Sequence, residues 1–423
     1  MSPRHRYRPR FAVYILTLVL FLTGATVALL VTRGYAIDFD SGALYERGLL
    51  ALQSDPDPAQ ILIDGEPHGK RTDARISLRP GTYDVEVRKD DRLPWRKTVR
   101  IDPGEAVIES ITLFPESPER TFLTEGTVRR VAVSAGGGHA VAITRHNERY
   151  RLESVDLEAG TSRTITALPA TLAEPRSLAV TGSGNRILLS GNERTFVFDR
   201  EGSRVGDLPG TSGRFVDGRV LTVRNNRIRV QDTDGTDART VAVAPRAWAA
   251  AENGLYVLDA LGVTWIRPDG TGRRIPETRT VTALTTIGPD AVVAEDRDGS
   301  FGLLRDERHR NLVQGLVQAA PDHEGHYLAY RTTSELHLLS LESGKDRLVT
   351  RLTDPPERIY PLPDGSHLLY RSGGDLHVIA RDGTNDQVVA DGIGSEPTIL
   401  GLDTIIVTDR ASGRLVRINL RGS

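Results

Sequence analysis

The sequence predicts an all-β chain that follows a single apolar helix near the N-terminus. The prediction depends on three features: one uncharged stretch near the start, short runs of alternating apolar and polar residues between Pro, Gly and Asp, and a repeated unit that fills the C-terminal part. A chain of 423 residues has room for two or three domains with cores of their own.

Composition excludes several functional classes. The net charge of −2 provides no basic field for nucleic acid. The absence of cysteine excludes disulfides, thiolate zinc sites and a cysteine nucleophile. We therefore expect no nucleic-acid partner and no thiolate-bound metal.

The N-terminal stretch predicts a membrane anchor. Residues 11–32 are uncharged, and as a helix they would rise about 33 Å, enough for a hydrocarbon core of about 30 Å. The residues that follow are mainly acidic, whereas four basic residues precede the stretch: Arg4, Arg6, Arg8 and Arg10. By the positive-inside rule, residues 1–10 stay in the cytoplasm and the bulk of the chain lies outside it.

Two other interpretations of residues 11–32 remain open. A cleaved signal peptide has an apolar run of about 7–15 residues and a cleavage site of small residues, neither of which is found before Arg33. A buried soluble helix is the other alternative. Residues 33–48 are expected to form a linker.

Residues 49–115 predict a small antiparallel β-sandwich or barrel of five or six strands. In residues 83–87, period-two alternation places Tyr83, Val85 and Val87 on one face, which must be buried. The predicted strands are residues 60–63, 76–78, 83–87, 98–101 and 107–113.

The turns of this segment carry a family pattern. Asp64-Gly65 is a strong hairpin dipeptide and Pro80-Gly81 a strong turn dipeptide, so these four residues are interpreted as structural turns without a ligand. Together, DGEPHG at 64–69 and LRPGTYDV at 78–85 resemble the PEGA domain. The resemblance implies a spacer or adhesive module, of the kind found in exported proteins of bacterial cell surfaces.

Residues 120–423 consist of similar units. Each unit has a third strand that runs into a glycine turn, and one weaker unit around Asp306 lacks the glycine. The mean interval of about 37 residues is typical of a four-stranded propeller blade. We therefore predict a β-propeller of about eight blades, with seven still possible. The turn glycines are Gly160, Gly202, Gly235, Gly270, Gly344, Gly383 and Gly422.

Closure of this propeller is also predicted. The last unit stops after its third strand, whereas residues 120–124 look like an unattached fourth strand. Pairing of the two would remove the exposed edges. The turns and strands at 321–330 and 363–370 resemble the TolB-like and WD40-like propeller repeat, which implies this architecture but no particular ligand.

Few motifs suggest chemistry. No Gly-x-Ser-x-Gly elbow, Walker loop or dinucleotide-binding glycine motif occurs. His323 and His326 form an H-x-x-H pair without a third ligand, so two turn-facing histidines are favoured over zinc. We predict no catalytic, cofactor-binding or metal-binding residues.

Two charged segments and a set of aromatic residues have competing interpretations. Asp232, Asp234 and Asp237 are spaced like part of a calcium loop but lack a closing Glu, so an interblade hairpin is favoured. The basic stretch at 224–229 is interpreted as a solvated blade edge rather than an anion site. Core packing is favoured over a sugar-binding funnel for the aromatic residues Trp248, Trp265, Tyr330, Tyr360 and Tyr370.

The order of segments favours a membrane-anchored binding or scaffold protein. An anchor and a small spacer would present the propeller to an envelope glycan or protein partner. Two alternatives remain: a propeller enzyme acting on glycans, with paired carboxylates in its funnel, and a TolB-like subunit of an envelope complex.

Overall fold

A computed structural model describes most of the chain. The described residues are 8–32, 35–37, 44–134, 137–169, 172, 174–251, 253–287, 292–305, 308–322, 326–353, 356, 358–401 and 403–421. The chain divides into two compact units, Met1–Glu116 and Ser117–Ser423. Each unit is described separately below.

The first unit begins with helix α1, Arg8–Thr32. The predicted topology residues Arg4 and Arg6 lie outside the described residues, and so do the side chains of Arg8 and Arg10. Side chains are described for residues 13–29 of the helix, and all of them are exposed. Within the described part of the chain, no helix combines the length and the hydropathy that a membrane span requires.

Two short strands, β1 (Tyr35–Ile37) and β2 (Leu44–Glu46), pair in antiparallel fashion. They lie in the segment that was predicted to be a linker. Seven further strands form a β-sandwich in which β6-β3-β9 face β5-β4-β7-β8. Their bounds are Gly48–Asp55 (β3), Gln60–Ile63 (β4), Glu66–Arg71 (β5), Ala74–Leu78 (β6), Gly81–Arg88 (β7), Trp95–Ile101 (β8) and Ala106–Thr112 (β9).

The core of the sandwich follows the predicted alternation. Val85 and Val87 are buried and Tyr83 packs against them, together with Leu50 of β3. One pair differs from the antiparallel prediction, because β3 and β9 run parallel from the pair Leu49↔Ala106 onward. β3 and β5 were not among the predicted strands, so the sandwich has seven strands instead of the predicted five or six. Alternation reports which face is buried but not the direction of the partner strand.

The second unit is a ring of eight four-stranded antiparallel sheets in the described residues. We number them as blades in chain order. The first four have the strands Thr127–Val133 (β11), His139–His146 (β12), Arg149–Asp156 (β13) and Thr161–Leu168 (β14) in blade 1; Ser177–Val180 (β15), Arg186–Ser190 (β16), Arg194–Asp199 (β17) and Arg204–Pro209 (β18) in blade 2; Thr211–Val216 (β19), Arg219–Arg224 (β20), Arg227–Gln231 (β21) and Arg239–Val243 (β22) in blade 3; and Ala247–Ala251 (β23), Gly254–Asp259 (β24), Gly262–Ile266 (β25) and Gly272–Arg274 (β26) in blade 4.

The other four blades complete the ring. Their strands are Val281–Thr286 (β27), Val292–Asp296 (β28), Ser300–Arg305 (β29) and Arg308–Gln314 (β30) in blade 5; Gln318–Pro321 (β31), Tyr327–Arg331 (β32), Glu335–Ser340 (β33) and Asp346–Arg351 (β34) in blade 6; Ile359–Pro361 (β35), His367–Ser372 (β36), Asp375–Ala380 (β37) and Gln387–Ala390 (β38) in blade 7; and Thr398–Leu400 (β39), Thr404–Thr408 (β40), Leu415–Asn419 (β41) and Arg120–Phe122 (β10) in blade 8. The sheet β27–β30 shows that the weak unit is a blade of its own, although Asp306 lies outside the described residues.

Buried apolar residues from successive blades form shared cores. One core joins blades 1 and 2 through Ile143 and Ile187, another joins blades 4 and 5, and another joins blades 6 and 7. Because each second strand is apolar on both faces, a blade is stable only when it is covered on both sides. Stacking around an axis satisfies this requirement for every blade.

The ring closes as the sequence predicts. β10 pairs with β41 in the register Arg120↔Ile418, so the N-terminal strand of the unit is the outermost strand of the C-terminal blade. Buried Leu123 packs with residues of blades 8 and 1, including Leu415 and Ala140. Closure thereby covers the edge of β41 that would otherwise be unpaired.

Candidate functional site

The first strands of the blades surround the propeller axis, and all begin at the same end. Ser177 Oγ in blade 2 donates a hydrogen bond to the carbonyl of Gly213 in blade 3 (2.9 Å). The backbone N–H of Ile359 in blade 7 donates one to Gln318 Oε1 in blade 6 (2.9 Å). These bonds join the initial parts of neighbouring first strands, so residues located there lie around the axis on one face.

Arginine is the recurrent residue at this position. Six of the eight blades have one or two exposed arginines in the first strand or within two residues before it. Arg129, Arg130 and Arg214 lie inside strands β11 and β19, and the others precede their strands. We call this set the arginine rim: Arg129, Arg130, Arg176, Arg214, Arg246, Arg279 and Arg358.

Several rim arginines have no charged partner among the described residues. Arg176 Nε donates to Asn192 Oδ1 at 3.3 Å, and Arg246 lies close enough to Asp259 to help lower the pKa of that carboxyl group, although the hydrogen bond from Arg274 is the larger cause. By contrast, no described carboxylate forms an ion pair with the four rim arginines of blades 1, 3 and 5: Arg129, Arg130, Arg214 and Arg279. Exposed guanidinium groups without ion pairs contribute a positive potential, which the exposed carboxylates of Glu174 and Glu277, two residues before Arg176 and Arg279, partly offset.

In blade 8, Glu396 precedes the first strand, and its carboxylate already has two partners. Tyr360 Oη donates to Glu396 Oε2 (3.0 Å), and Arg371 Nη2 lies 3.2 Å from Glu396 Oε1. Burial, followed by the charge of Glu396, raises the pKa of Tyr360 above its ordinary range. Glu396 therefore has Arg371 as its ion-pair partner, and Arg358 of the rim contacts the same tyrosine, Tyr360.

Acidic residues lie farther from the axis on the same face. The turns between second and third strands open toward this end, and in seven blades they carry a carboxylate at or beside the turn. We call them the acidic turns: Glu148, Glu193, Asp259, Asp298, Glu335, Asp375 and Asp409. Three of these carboxylates form ion pairs with arginines of the same blade: Glu148 with Arg145, Asp259 with Arg274, and Glu335 with Arg351.

Blade 3 is the exception, and it contains the predicted basic stretch. Residues 224–229 form its turn between β20 and β21, where Arg224 and Arg227 are exposed. The interpretation as a solvated blade edge agrees with this position.

The predicted calcium-like loop has a different location from the one expected. It connects β21 and β22 within blade 3 and therefore is not an interblade hairpin. Arg219 lies 3.1 Å from Asp232 and 2.7 Å from Asp237, and hydrogen bonds from Arg239 and then Arg219 lower the pKa of Asp237. Asp234 Oδ1 accepts the N–H of Thr236 (2.9 Å), so the carboxylates face protein donors.

Zinc binding was the disfavoured interpretation of the H-x-x-H pair. His323 of this pair lies outside the described residues. Within them, no group of three or more His, Asp or Glu side chains is arranged to hold a metal ion.

The five predicted aromatic residues divide into two groups. Trp265, Tyr330 and Tyr370 are buried in the cores between blades. Trp248 and Tyr360 are only partly buried, and each lies in a first strand two residues after a rim arginine. Trp248 also packs against the core of blades 3 and 4, and Tyr360 Oη donates a hydrogen bond to Glu396.

Blades 6 and 7 each contain a polar cluster that was not predicted. Tyr330 Oη donates to Asp346 Oδ2 (2.7 Å) while its ring stacks on His337, with 4.8 Å between centroids. In blade 7, Tyr370 Oη donates to Asp386 (2.6 Å) and the ring stacks on the equivalent histidine, at 4.8 Å. Burial and the carboxylate raise the pKa of both tyrosines. The clusters join the second, third and fourth strands of each blade.

Two further buried carboxylates are structural. His367 and Asp364 form a hydrogen bond of 2.7 Å between Nδ1 and Oδ2 in the turn of blade 7. Burial opposes ionisation of Asp364, but the hydrogen bond and charge of His367 outweigh it and lower its pKa. In blade 1, Thr144 Oγ1 donates to Glu153 Oε1 (2.7 Å), whereas Glu153 Oε2 is buried without a hydrogen-bond partner.

In blade 3 a neutral residue takes the place of that glutamate. Gln231 Nε2 donates to Thr222 Oγ1 (3.1 Å). Both pairs join the second and third strands at the same diagonal offset. The comparison shows that this position does not require a carboxylate.

In the first unit, the predicted turn residues lie between strands. Asp64 and Gly65 have φ of 52° and 83° and connect β4 to β5, and Asp64 Oδ1 accepts the N–H of Asp84 (2.9 Å). Pro80 and Gly81 lie where β6 passes into β7. A cleft of about 620 Å³ in this unit is lined by basic and acidic side chains, including Arg71 and Glu116.

The arginine rim was missed because each arginine is an isolated charge in the sequence. Arg176, Arg214, Arg246 and Arg279 follow one another at intervals of about one repeat. Alignment of the repeats on the beginnings of their first strands, instead of on their glycine turns, would have placed Arg176, Arg246 and Arg358 at one position, directly before the strand.

Comparison with known proteins supports both folded parts. Residues 47–117 match the model of the PEGA domain. The solved structure of the Dos1 propeller is similar to 73% of this chain and 96% of its own, with 11% identity and a TM-score of 0.53. The WD40 domain of SCAP from fission yeast is similar over 72% of this chain and 98% of its own, with 11% identity and a TM-score of 0.49.

Similarity to solved structures at 11% sequence identity shows only the fold. No curated protein matches the sequence. The chain carries a PEGA domain at residues 47–117, and its second unit is a β-propeller.

Proposed function

We propose that this chain is a membrane-anchored, extracytoplasmic binding protein whose propeller engages a partner of the cell envelope. The main support for this proposal is the apolar surface of helix α1. Tyr14, Leu20 and Phe21 are 71%, 73% and 70% exposed, and the apolar residues surround the helix on all sides. A helix of this kind needs an apolar environment, and its 25 residues rise about 37 Å.

The charge distribution around the helix supports the orientation. Basic residues precede the apolar stretch and acidic residues follow it, which favours export of everything after residue 32. The PEGA domain then acts as a spacer, and the propeller presents the arginine rim to an envelope glycan or protein.

The rim supports binding over catalysis. Its members are guanidinium groups, which remain protonated and do not act as general acids or bases. Glu396, a carboxylate near the rim, is engaged by Arg371 and Tyr360, whereas Glu174 and Glu277 lie in different blades. We therefore infer a recognition surface rather than the paired carboxylates of a glycan-active enzyme.

Topology reporters test the anchor. Alkaline phosphatase fused after Ser423 should be active in cells, whereas a fluorescent protein that matures in the cytosol should stay dark at the same position. The reverse pattern would refute the proposed localisation.

A pair of variants tests the helix itself. Leu16→Arg with Leu20→Arg should move the protein from the membrane to the soluble fraction, because a charge at the bilayer centre costs about 3 kcal/mol. Ile108→Arg, which changes an exposed apolar residue of the PEGA domain, should stay in the membrane fraction. If the helix variant stays there as well, α1 is not the anchor.

A further inference from the structure

We propose that a surface shared by blades 3 and 4 docks a partner protein, through a segment of that partner that combines apolar side chains with carboxylates. The surface lies on the face where the turns between second and third strands open. We call it the blade 3–4 strip, and it consists of residues 224–227, 243–246 and 260–261. The inference rests on the binding role proposed above and adds the location of the contact and the chemistry of the partner.

Hydrogen bonds make the strip continuous across the two blades. The backbone N–H of Ala244 donates to the carbonyl of Asn226 in the turn of blade 3 (2.8 Å), and that of Arg246 donates to the carbonyl of Leu258 in β24 (2.9 Å). Residues 260–261 form the turn that follows β24. The connection between the blades is therefore held against both turns.

Two arginines of the strip face each other without a carboxylate. Arg224 and Arg227 are paired across the turn of blade 3, and Val243 lies opposite Arg227 on β22, so the three residues form one row. Asn225 and Asn226 have φ of 49° and 57°, as a tight hairpin turn requires. Like charges directly opposite each other destabilise a strand pair. No described carboxylate forms an ion pair with either arginine, so the carboxylates of a partner would offset this cost.

The charge of the strip is positive. It contains three arginines, including Arg246 of the rim, and no carboxylate. Asp259, beside its second turn, is paired with Arg274 at 2.7 Å. Glu193 and Glu277 lie in the flanking turn of blade 2 and in the connection after blade 4, and neither forms an ion pair with an arginine of the strip in the described residues. The complementary charge on a partner is therefore negative.

Exposed aliphatic side chains favour a protein partner over a polysaccharide. Val243 and Leu261 are each 64% exposed, and Ala244 and Ala260 beside them are exposed as well. Single exposed apolar residues are ordinary, whereas apolar residues grouped with arginines and without carboxylates are typical of protein interfaces. Aliphatic side chains lack the flat ring that stacks on a sugar, so the apolar side chains of another protein match them better.

Fluorescence anisotropy with labelled peptides tests the inference on the full-length chain in detergent micelles. The probes are a peptide of Leu-Leu-Glu-Glu repeats, a Ser-Ser-Glu-Glu peptide without apolar side chains, and a Leu-Leu-Lys-Lys peptide of opposite charge. The first should bind at least about tenfold more tightly than either of the others, and raised salt should weaken its binding. Alginate, an acidic polysaccharide, should not compete with it. Empty micelles supply the background.

Two double variants locate the site. V243S/L261S removes the exposed aliphatic side chains, and R224Q/R227Q removes the two facing charges. Each should weaken binding of the Leu-Leu-Glu-Glu peptide by about tenfold. Because R224Q/R227Q relieves a like-charge pair, its melting temperature should not fall below that of the native chain.

Matched controls change the same residue types elsewhere on the propeller. L348S/V388S alters side chains that are 41% and 46% exposed on the outermost strands of blades 6 and 7. R308Q/R347Q alters exposed arginines on the outermost strands of blades 5 and 6. Both controls should bind the peptide like the native chain, and unchanged melting temperatures confirm that the variants are folded.

Three results would overturn the inference: no binding of the Leu-Leu-Glu-Glu peptide above that of empty micelles, equal binding of either other peptide, or equal weakening by the site variants and their controls. Competition by alginate would assign the strip to an acidic polysaccharide and would overturn the protein partner. The topology reporters do not depend on any peptide. A chain that is correctly exported but binds none of the peptides would therefore disprove this docking surface alone.

Discussion

Leu123 links the two ends of the propeller, and its replacement by alanine should destabilise the entire second unit. The side chain is 2% exposed and packs with Ala142 and Val155 of blade 1 and with Leu415 of blade 8. Its backbone N–H donates to the carbonyl of Leu415 at 2.8 Å. Leu123→Ala leaves the backbone pairing intact but opens a cavity where the ring closes.

The expected cost is about 3 kcal/mol of unfolding free energy. Truncation of a fully buried leucine removes its transfer free energy and leaves a void, and such changes cost roughly 2–5 kcal/mol. The site is surrounded by strands from both ends of the unit, so the neighbours cannot collapse into the void without disturbing the closing strand.

Equilibrium urea unfolding can measure this cost in the propeller alone. The chain has three tryptophans: Trp95 in the PEGA domain, and Trp248 and Trp265 in blade 4. In a Trp95→Phe background, tryptophan fluorescence therefore reports the second unit.

Phe122→Ala in the same background is the matched control. Phe122 belongs to the closing strand but is 45% exposed, with Arg414 4.4 Å above its ring, so its truncation should cost less than about 1 kcal/mol. If Leu123→Ala cost no more than Phe122→Ala, closure through this strand would be refuted.

Three other substitutions test buried polar groups. Glu153→Gln should raise the unfolding free energy by about 1 kcal/mol, because it keeps a partner for the neighbouring threonine and removes a buried, half-satisfied carboxylate; a lower urea midpoint would contradict this. Tyr370→Phe should lower it by about 1–2 kcal/mol, since Asp386 loses its buried hydroxyl donor, and an unchanged thermal midpoint would show that the cluster in blade 7 is dispensable. Asp364→Asn should destabilise the protein at pH 7. The folded pKa of Asp364 is lowered, so its stabilisation is present above the unfolded pKa of about 3.9 and is lost as pH falls through the folded value. The difference between native and variant melting temperatures should therefore shrink below about pH 4, and a pH-independent difference would rule out this origin.

The local architecture could be predicted from the sequence. Alternating residues such as Val85 and Val87 fix the buried face of a strand, and the glycines that follow third strands fix the repeat, because strand pleat and turn geometry depend on a few adjacent residues. The closing role of residues 120–122 could be predicted as well. In the sequence, the last repeat lacked a fourth strand, and residues 120–124 formed a predicted strand that belonged to no repeat.

Only the tertiary structure revealed which distant residues converge. The parallel pair of β3 and β9, the Tyr–His–Asp clusters and the arginine rim all involve groups that lie on separate strands or blades. A side chain such as Arg214 has no local partner that signals its role, and its neighbours around the axis are roughly one repeat away in either direction. Because the ring arranges all first strands around one axis, charges that are far apart along the chain lie in or beside neighbouring inner strands.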